Sequence, residues 1–513
     1  MKNKKAHHYV TMLFFAALLT FGFIIVDDYG MSWDETYSRD ENGLIAFNYI
    51  FNNDVNKYQI SDERYHGTAI ELPLYGLEKV FGICDLRTIY LFRHYMTFLL
   101  FVFSAFMFFK LMRLIYEDWW IAFAGLIIYV FTPRIFADAF YNSKDVGFLS
   151  VFTIAMFSAY KFLQKQNLKT IVLHGLVCGF LIATRISGVI MPVITVGIYF
   201  MQQFLKINSR SWKHSIVISS LFLIITFLTT ILFWPILWFN PIVEFANAWI
   251  HISHFHWNKD ILYLGEFISE NNIPWHYMPV WIGITTPIIT LALCLIGCFR
   301  LLYELIKTRF NWDNLIRTNT VFVIYFIMPI AAIIILKSIV YDGWRHMFFL
   351  HAPMIALVCF TIYKFTLKLS QSKKKIFYVM LTLLYLPSFI SMAQLHPYEN
   401  LYFNKLKYKG TGDARFKMDL DYWGLSYRKA LEFLVKYDHN SEIHVKVDTY
   451  PGKLSAVLLP ITERKRIIFE DDITNADYFI GNFRWMKEEY PYTNKIYNLS
   501  VDNATVMVCY KLK

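Results

Sequence analysis

Long apolar runs interrupted by short polar segments set the pattern of this chain. A bilayer core is about 30 Å thick, and a helix needs about 20 apolar residues to cross it. Eleven runs come near that length: 9–26, 88–109, 119–133, 146–163, 168–184, 187–205, 214–235, 278–300, 320–339, 346–366 and 375–394. The pattern predicts a polytopic α-helical membrane protein with about eleven spans. The third is short, and only Arg185 and Ile186 separate the fifth from the sixth, so that pair also reads as one re-entrant element. The basic start MKNKKAHH and the run behind it resemble a signal peptide, but no small-x-small cleavage site follows. They are read as a retained first helix.

The polar positions orient the spans. With a cytoplasmic N-terminus, the inner loops carry Lys2/Lys4/Lys5, Lys110/Arg113, Lys161/Lys165/Lys169, Lys206/Arg210/Lys213, Arg300/Lys307/Arg309/Arg317 and Lys364/Lys368/Lys373/Lys374/Lys375. Each is basic, as cytoplasmic loops are. The outer loops are then 27–87, 134–145, 236–279 and 340–345, with the tail from about 395. The first holds twelve Asp/Glu against five Lys/Arg. Within it, 35–55 and 65–82 show helical apolar spacing and predict helices lying in the interface plane. Loop 236–279 carries Trp238, Trp249, Trp257 and Trp275, an expected headgroup-level belt.

From His396 the composition becomes that of a soluble segment, with a helix expected around 424–437 and alternating runs in HVKVDTY, KRIIFE and TVMVCYKL. Two parts are therefore expected: a membrane module, 1–395, whose first outer loop is 27–87, and an outer α/β domain, 396–513.

Composition supports the membrane class: 56% hydrophobic, 19% aromatic and a mean hydropathy of +0.37. A net charge of +11 invites a nucleic-acid partner, but the cations sit in clusters between apolar runs, so none is expected. The six cysteines contain no CxxC pair and read as small hydrophobes.

Charged groups at helix ends in a membrane need a reason. The outer ends collect Asp34 and Glu35, Arg93 and His94, Asn142, Lys144 and Asp145, Arg185, and Arg345 and His346. Acids and bases on one face suit a site that holds an anion and moves a proton. Singly, each has an ordinary reading: a solvated loop acid, a charge at a helix N-terminus, or a snorkelling arginine. Glu71 and Asp138 are read as structural. The histidines of HISHFHW (251, 254, 256) have metal-like spacing but no further ligand, and an interfacial role is preferred.

An apolar helix followed at once by MSWDE resembles the GT-C glycosyltransferases. Further segments bring the chain nearest the protein O-mannosyltransferase and aminoarabinose-transferase group, family 39 in the broad sense: PRIFADAFYNSKD, GLVCGFLIATRISG, IPWHYMPVWIGITTP, YDGWRHMFFLHAP, HPYENLYFN and LDYWGLSYRKALEFL. The resemblance implies an inverting transfer of a sugar from a polyprenyl-phosphate donor to an acceptor glycan, lipid or protein, in a bacterial-type inner membrane. It implies Asp34 as the acceptor's base or orienting acid, with Glu35 its partner, and Asp145 as the second-loop acid. Arg345 would meet the lipid phosphate, and Arg185 sits where a basic residue often helps; His346, Lys144 and Arg93, from their place at the outer helix ends, are read as further donor-binding groups. A divalent cation bridging Asp34 or Asp145 to the phosphate is left open, and no nucleotide site is required. Where relatives tend to have a histidine, this chain has Asp138. The tail beyond about 440 carries no functional match. DYWG at 421–424 superficially resembles the WWDYG motif of oligosaccharide-transferring relatives, but it is permuted and isolated and is set aside. A transporter or flippase, the rival from another class, asks for polar or broken segments at mid-membrane and for related halves. Here the polar residues crowd one surface.

Overall fold

The structure, a computed structural model, describes residues 2–207, 211–253, 259–308 and 314–513. Trp257, Arg210, Arg309 and two of the three histidines of HISHFHW, 254 and 256, lie outside the described residues. The chain is a polytopic α-helical bundle with a small tail domain.

Nine described helices are long and apolar enough to cross a membrane, or ten if one bent pair counts as a single span, against the eleven expected. Proline accounts for the first difference: Trp119–Val130 and Pro133–Tyr141 meet at 64°, because a residue before proline is pushed out of helical geometry. The second lies in Leu168–Thr184, which has only 17 residues. The expected span 278–300 is also broken, at Thr286–Pro287, into Tyr277–Thr285 and Ile288–Lys307. Asn404 from the tail donates to the carbonyls of Gly283 and Thr286, both at 2.6 Å. It thereby satisfies groups that a helix end leaves unpaired.

Burial ranks the helices. The best windows of Asp145–Gln164 and of the stretch Arg345–Thr366 are 78% and 83% buried, whereas that of Gln371–Leu395 is 22% buried. The two central elements begin with Asp145 and Arg345, so the most buried helices open on the expected site residues. Helix Leu86–Tyr116 starts from an Asp85 cap on the Thr88 amide, 2.9 Å away. It has Arg93 near that end and Arg113 near the other. At 1.5 Å per residue those two stand about 30 Å apart along the axis, one bilayer core. On Asp145–Gln164, Asp145 and Lys161 are separated by about 24 Å in the same way.

The first loop forms a π-helical turn at Tyr37–Leu44, helix Ile45–Asn52 and helix Glu71–Val80. A hairpin of β1 (Ile261–Tyr263) and β2 (Glu266–Ile268) bridges to Met418 in the tail. The tail domain is helix Tyr427–Tyr437 with a five-stranded sheet: β3 (Ile443–Val447), β4 (Ile467–Phe469), β5 (Tyr478–Gly481), β6 (Lys495–Val501) and β7 (Ala504–Lys511). Its order is β4-β3-β5-β7-β6, with β3 parallel to β4 and β5 and the β5–β7 and β7–β6 pairs antiparallel. The helix and β3, β4 and β7 follow from spacing. β5 has no alternation to read because all four of its residues are buried, and β6 is largely exposed.

His396 straps the tail to the first loop. Its Nδ1 lies 2.8 Å from Glu399 and its Nε2 3.0 Å from Asp28. Burial disfavours the charged ring, but the bonds to Glu399 and then Asp28 outweigh it, and its pKa rises from 6.5 to about 9. A raised cation stabilises fully below the unfolded value near 6.5, and that contribution is lost as pH climbs through about 9. The melting temperature of detergent-solubilised protein is therefore expected to fall between about pH 7 and about pH 10 more steeply in wild type than in His396→Gln. Equal slopes would contradict this role.

Candidate functional site

Arg345 opens the last buried helical stretch, directly after a tight turn. Asp342 and Gly343 sit there at φ 55° and 74°. Left-handed backbone suits glycine and is tolerated by aspartate, so the DG pair is what lets the chain turn and aim both side chains the same way. The Arg345 Nη1 lies 2.9 Å from Asp34 and 3.3 Å from Asp145, and its Nη2 lies 3.5 Å from Asp342. The guanidinium also packs against the rings of Tyr341 and Trp423, with centroids at 5.0 and 4.7 Å. Its Nε is buried and has no hydrogen-bond partner.

Asp145 is fixed from both sides. Asn142 caps its helix, accepting from the Asp145 amide at 2.9 Å and donating to its carboxylate at 3.0 Å. Arg185, from the end of Leu168–Thr184, reaches Oδ1 at 2.6 Å. Asp34 is the most open acid of the cluster, its side chain 27% exposed against 0% for Asp145 and 6% for Asp342. Residues more than three hundred positions apart thus meet at one end of the bundle.

Two expected members stand elsewhere. Glu35 does not join Asp34: it accepts from the Ser32 amide at 2.5 Å and lies 2.6 Å from His94. That is half of an S-x-x-E capping box, a pattern that explains why the second acid of the pair turns back into its own helix start. Arg93 is buried between Glu71 and Glu78, one turn-pair apart on the helix Glu71–Val80, and both carboxylates are ion-paired to it. Neither residue reaches Arg345. Lys144 lies beside the cluster and pairs with Glu63 at 3.4 Å. Burial would raise the Glu63 carboxyl, but Lys144 and His66 outweigh it and hold it below the usual range. His346 meets the Tyr341 ring edge-on at 4.8 Å. Asp138 accepts from Asn142 at 2.9 Å and from Trp423 at 3.1 Å, and is fully buried.

The tail supplies what the loops lack. Arg484 donates to Asp342 at 2.8 Å and to the Tyr422 carbonyl, so Asp342 is shared by two arginines. Burial pushes the Asp342 carboxyl up, against the pull of Arg484 and Arg345. Phe483 and Trp485, on either side of Arg484, both have φ 60°. Positive φ at bulky residues is costly and marks a segment held in place by its surroundings. Trp423 arrives from DYWG, where Gly424 at φ 76° makes the turn, and its carbonyl accepts from the Trp33 amide at 3.1 Å. The DG of YDGWR is a readable signal for Asp342. Nothing in the spacing of the tail marks Arg484.

A divalent ion asks for several oxygen ligands closing on one point. Among the described residues no group of three or more His, Cys, Asp or Glu does so, and the Arg345 guanidinium fills the space between Asp34, Asp145 and Asp342. Among the described residues, the acids gathered at Arg345 do not fit a metal ion.

No family model matches this sequence, and neither does any curated protein. Solved structures do. The chain is similar to ArnT from Cupriavidus metallidurans bound to undecaprenyl phosphate, with a TM-score of 0.50 and 13% identity over 97% of each chain. It is also similar to the apo oligosaccharyltransferase of Archaeoglobus fulgidus, with a TM-score of 0.50 and 11% identity over 91% of this chain and 69% of that one. At these identities the likeness is one of fold alone.

Removing one partner of a buried ion pair strands the other, at a cost of about 3–5 kcal/mol. Arg345 still faces Asp342 at 3.5 Å, so Arg484→Gln, which removes the nearer arginine, is expected to destabilise the protein in detergent unfolding by up to that scale. Adding Asp342→Asn should restore a large part. A neutral Arg484→Gln would mean the contact carries no load.

Proposed function

We propose that this chain is an inverting glycosyltransferase that moves a sugar from a polyprenyl-phosphate donor to an acceptor hydroxyl, its site at the outer, periplasmic face of a bacterial-type membrane. The observation that carries this reading is the meeting of Asp34, Asp145 and Arg345 at one end of the bundle. The ArnT-like and oligosaccharyltransferase-like fold supports it, as does the basic character of the opposite helix ends.

The charges of the cluster balance: Arg345, Arg185 and Arg484 face Asp34, Asp145 and Asp342. An incoming phosphate must therefore displace a carboxylate. Asp34 is the one to leave, since it is the most exposed of the three. The phosphate takes its place on the planar guanidinium, whose Nε is free to donate. Arg185, a quarter exposed, offers a second cation. Asp145 stays between the two arginines and keeps their spacing. The freed Asp34 then accepts the proton of the acceptor hydroxyl. The acceptor oxygen forms its bond to the anomeric carbon as the bond from that carbon to the phosphate oxygen breaks. The electron pair goes to the departing polyprenyl phosphate, whose added charge Arg345 stabilises. Attack from the face opposite the phosphate inverts the anomeric centre. Donor binding and release of the base are one exchange in this scheme. A hexosyl, pentosyl or oligosaccharide donor is compatible with it, because every contact used on the donor is to its phosphate.

The test is transfer of radiolabelled sugar from polyprenyl-phosphate sugars in membranes carrying wild type or variants. Asp34→Asn is expected to lose about 10²–10⁴ in turnover while still binding donor, the scale of a general base. Arg345→Ala is expected to weaken donor use. Full activity in both variants would remove the mechanism.

A further inference from the structure

The end of the bundle opposite Arg345 carries a second concentration of charge that the transfer scheme leaves unused. Helices Lys2–Ile25 and Leu86–Tyr116 line a groove there of about 870 Å³. Its floor is apolar, with Met12, Phe15, Leu99, Phe103 and Phe106 among its residues. One wall is fixed: the His7 ring stacks on Trp119 at 4.4 Å, and the Trp119 indole donates to Thr11 at 3.0 Å. A second hollow of about 470 Å³ adjoins it, shares Phe109, Lys110 and Arg113, and adds Lys161 from the helix Asp145–Gln164.

Basic residues at this end follow from the positive-inside rule alone. Two features go beyond it. Lys110 and Arg113 line both the apolar groove and the hollow beside it, and Lys161, from a second helix, faces them across that hollow. In addition, none of Lys110, Arg113 and Lys161 has a carboxylate within ion-pair distance among the described residues, whereas Arg93, Lys144, Arg185 and Arg345 each have at least one. Lys110 and Lys161 rest on the rings of Phe106 and Phe157, at 5.3 and 5.9 Å. The nearest acids in sequence do not cancel them. Asp118 is used as a helix cap, accepting from the Trp120 amide at 2.8 Å, and Glu117 is exposed. An apolar floor beneath an uncompensated cationic rim is complementary to one class of molecule, an amphiphile with hydrocarbon chains and an anionic head. Membrane proteins meet such molecules at their basic ends, where each nearby Lys or Arg adds to the attraction.

We propose that this groove is a binding site for an anionic phospholipid, its acyl chains along Phe103 and Phe106 and its phosphate between Lys110, Arg113 and Lys161. The site is independent of the transfer reaction. Full-length protein in a mild detergent, offered an equimolar mixture of dioleoyl phosphatidylglycerol and dioleoyl phosphatidylcholine, is expected to retain phosphatidylglycerol with about tenfold preference by native mass spectrometry. Lys110→Gln/Arg113→Gln/Lys161→Gln should bring the ratio near one, and Lys161→Gln alone should cost about two- to threefold. Lys110→Arg/Lys161→Arg, which keeps the charges, should keep the preference. Inorganic phosphate in excess should leave the bound lipid in place. Equal retention of the two lipids by wild type would overturn the proposal. So would an unchanged preference in Lys161→Gln and the triple variant, or displacement by inorganic phosphate.

Discussion

A guanidinium buried among three carboxylates is the constraint on which the arrangement depends. Arg345 and Arg484 are each 4% exposed at the side chain, and Asp145 is fully enclosed. Taking such ions out of water costs several kcal/mol apiece, and their mutual attraction at best offsets it. A cluster of this kind is a poor way to gain stability, since apolar residues of the same volume would serve as well. On the proposed reading its sense is to hold opposite charges together at one point until a ligand of matching charge enters.

The surrounding structure follows from keeping that cluster together. The most buried helices begin at Asp145 and Arg345. The first loop delivers Asp34 from a helix start whose cap is Glu35, so one acid of the pair is spent on local structure and the other is left for the cluster. The tail closes the far side. Arg484 reaches Asp342, Trp423 covers the guanidinium, and Arg428 ties the tail helix to the carbonyl of Tyr29 and to the Asp27 carboxylate, both at 3.0 Å. The tail domain is thus part of the wall around Arg345, with its sheet standing behind the strained turn at Phe483–Trp485.

Much of this was legible in the sequence, because apolar runs, basic inner loops and a turn pair such as DG are local signals. Asp34, Asp145, Arg185 and Arg345 stood out as charges at the ends of apolar helices. Glu35 and Arg93 stood out for the same reason and belong to other networks, because position at a helix end does not say which way a side chain turns. The capping pattern Ser32-x-x-Glu35 and the seven-residue spacing of Glu71 and Glu78 would have separated them. Trp423 and Arg484 were beyond reach for a different reason. Their partners in the cluster, Arg345 for Trp423 and Asp342 for Arg484, lie on another element far along the chain, and only the path of the folded tail brings them in. The same holds for β5, whose four buried residues give no alternation.

On the proposed reading, Arg345 is poised to exchange a carboxylate for a lipid phosphate. Trp423, stacked on the guanidinium, offers a reporter of that exchange. The most direct measurement is tryptophan fluorescence during titration with undecaprenyl phosphate and, separately, with undecaprenol, in wild type and in Arg345→Gln. Wild type is expected to bind the phosphate at least about tenfold more tightly than the alcohol and Arg345→Gln to lose the distinction, the scale of one charge-assisted bidentate contact. Equal binding of phosphate and alcohol by wild type, or an unchanged preference in Arg345→Gln, would contradict it.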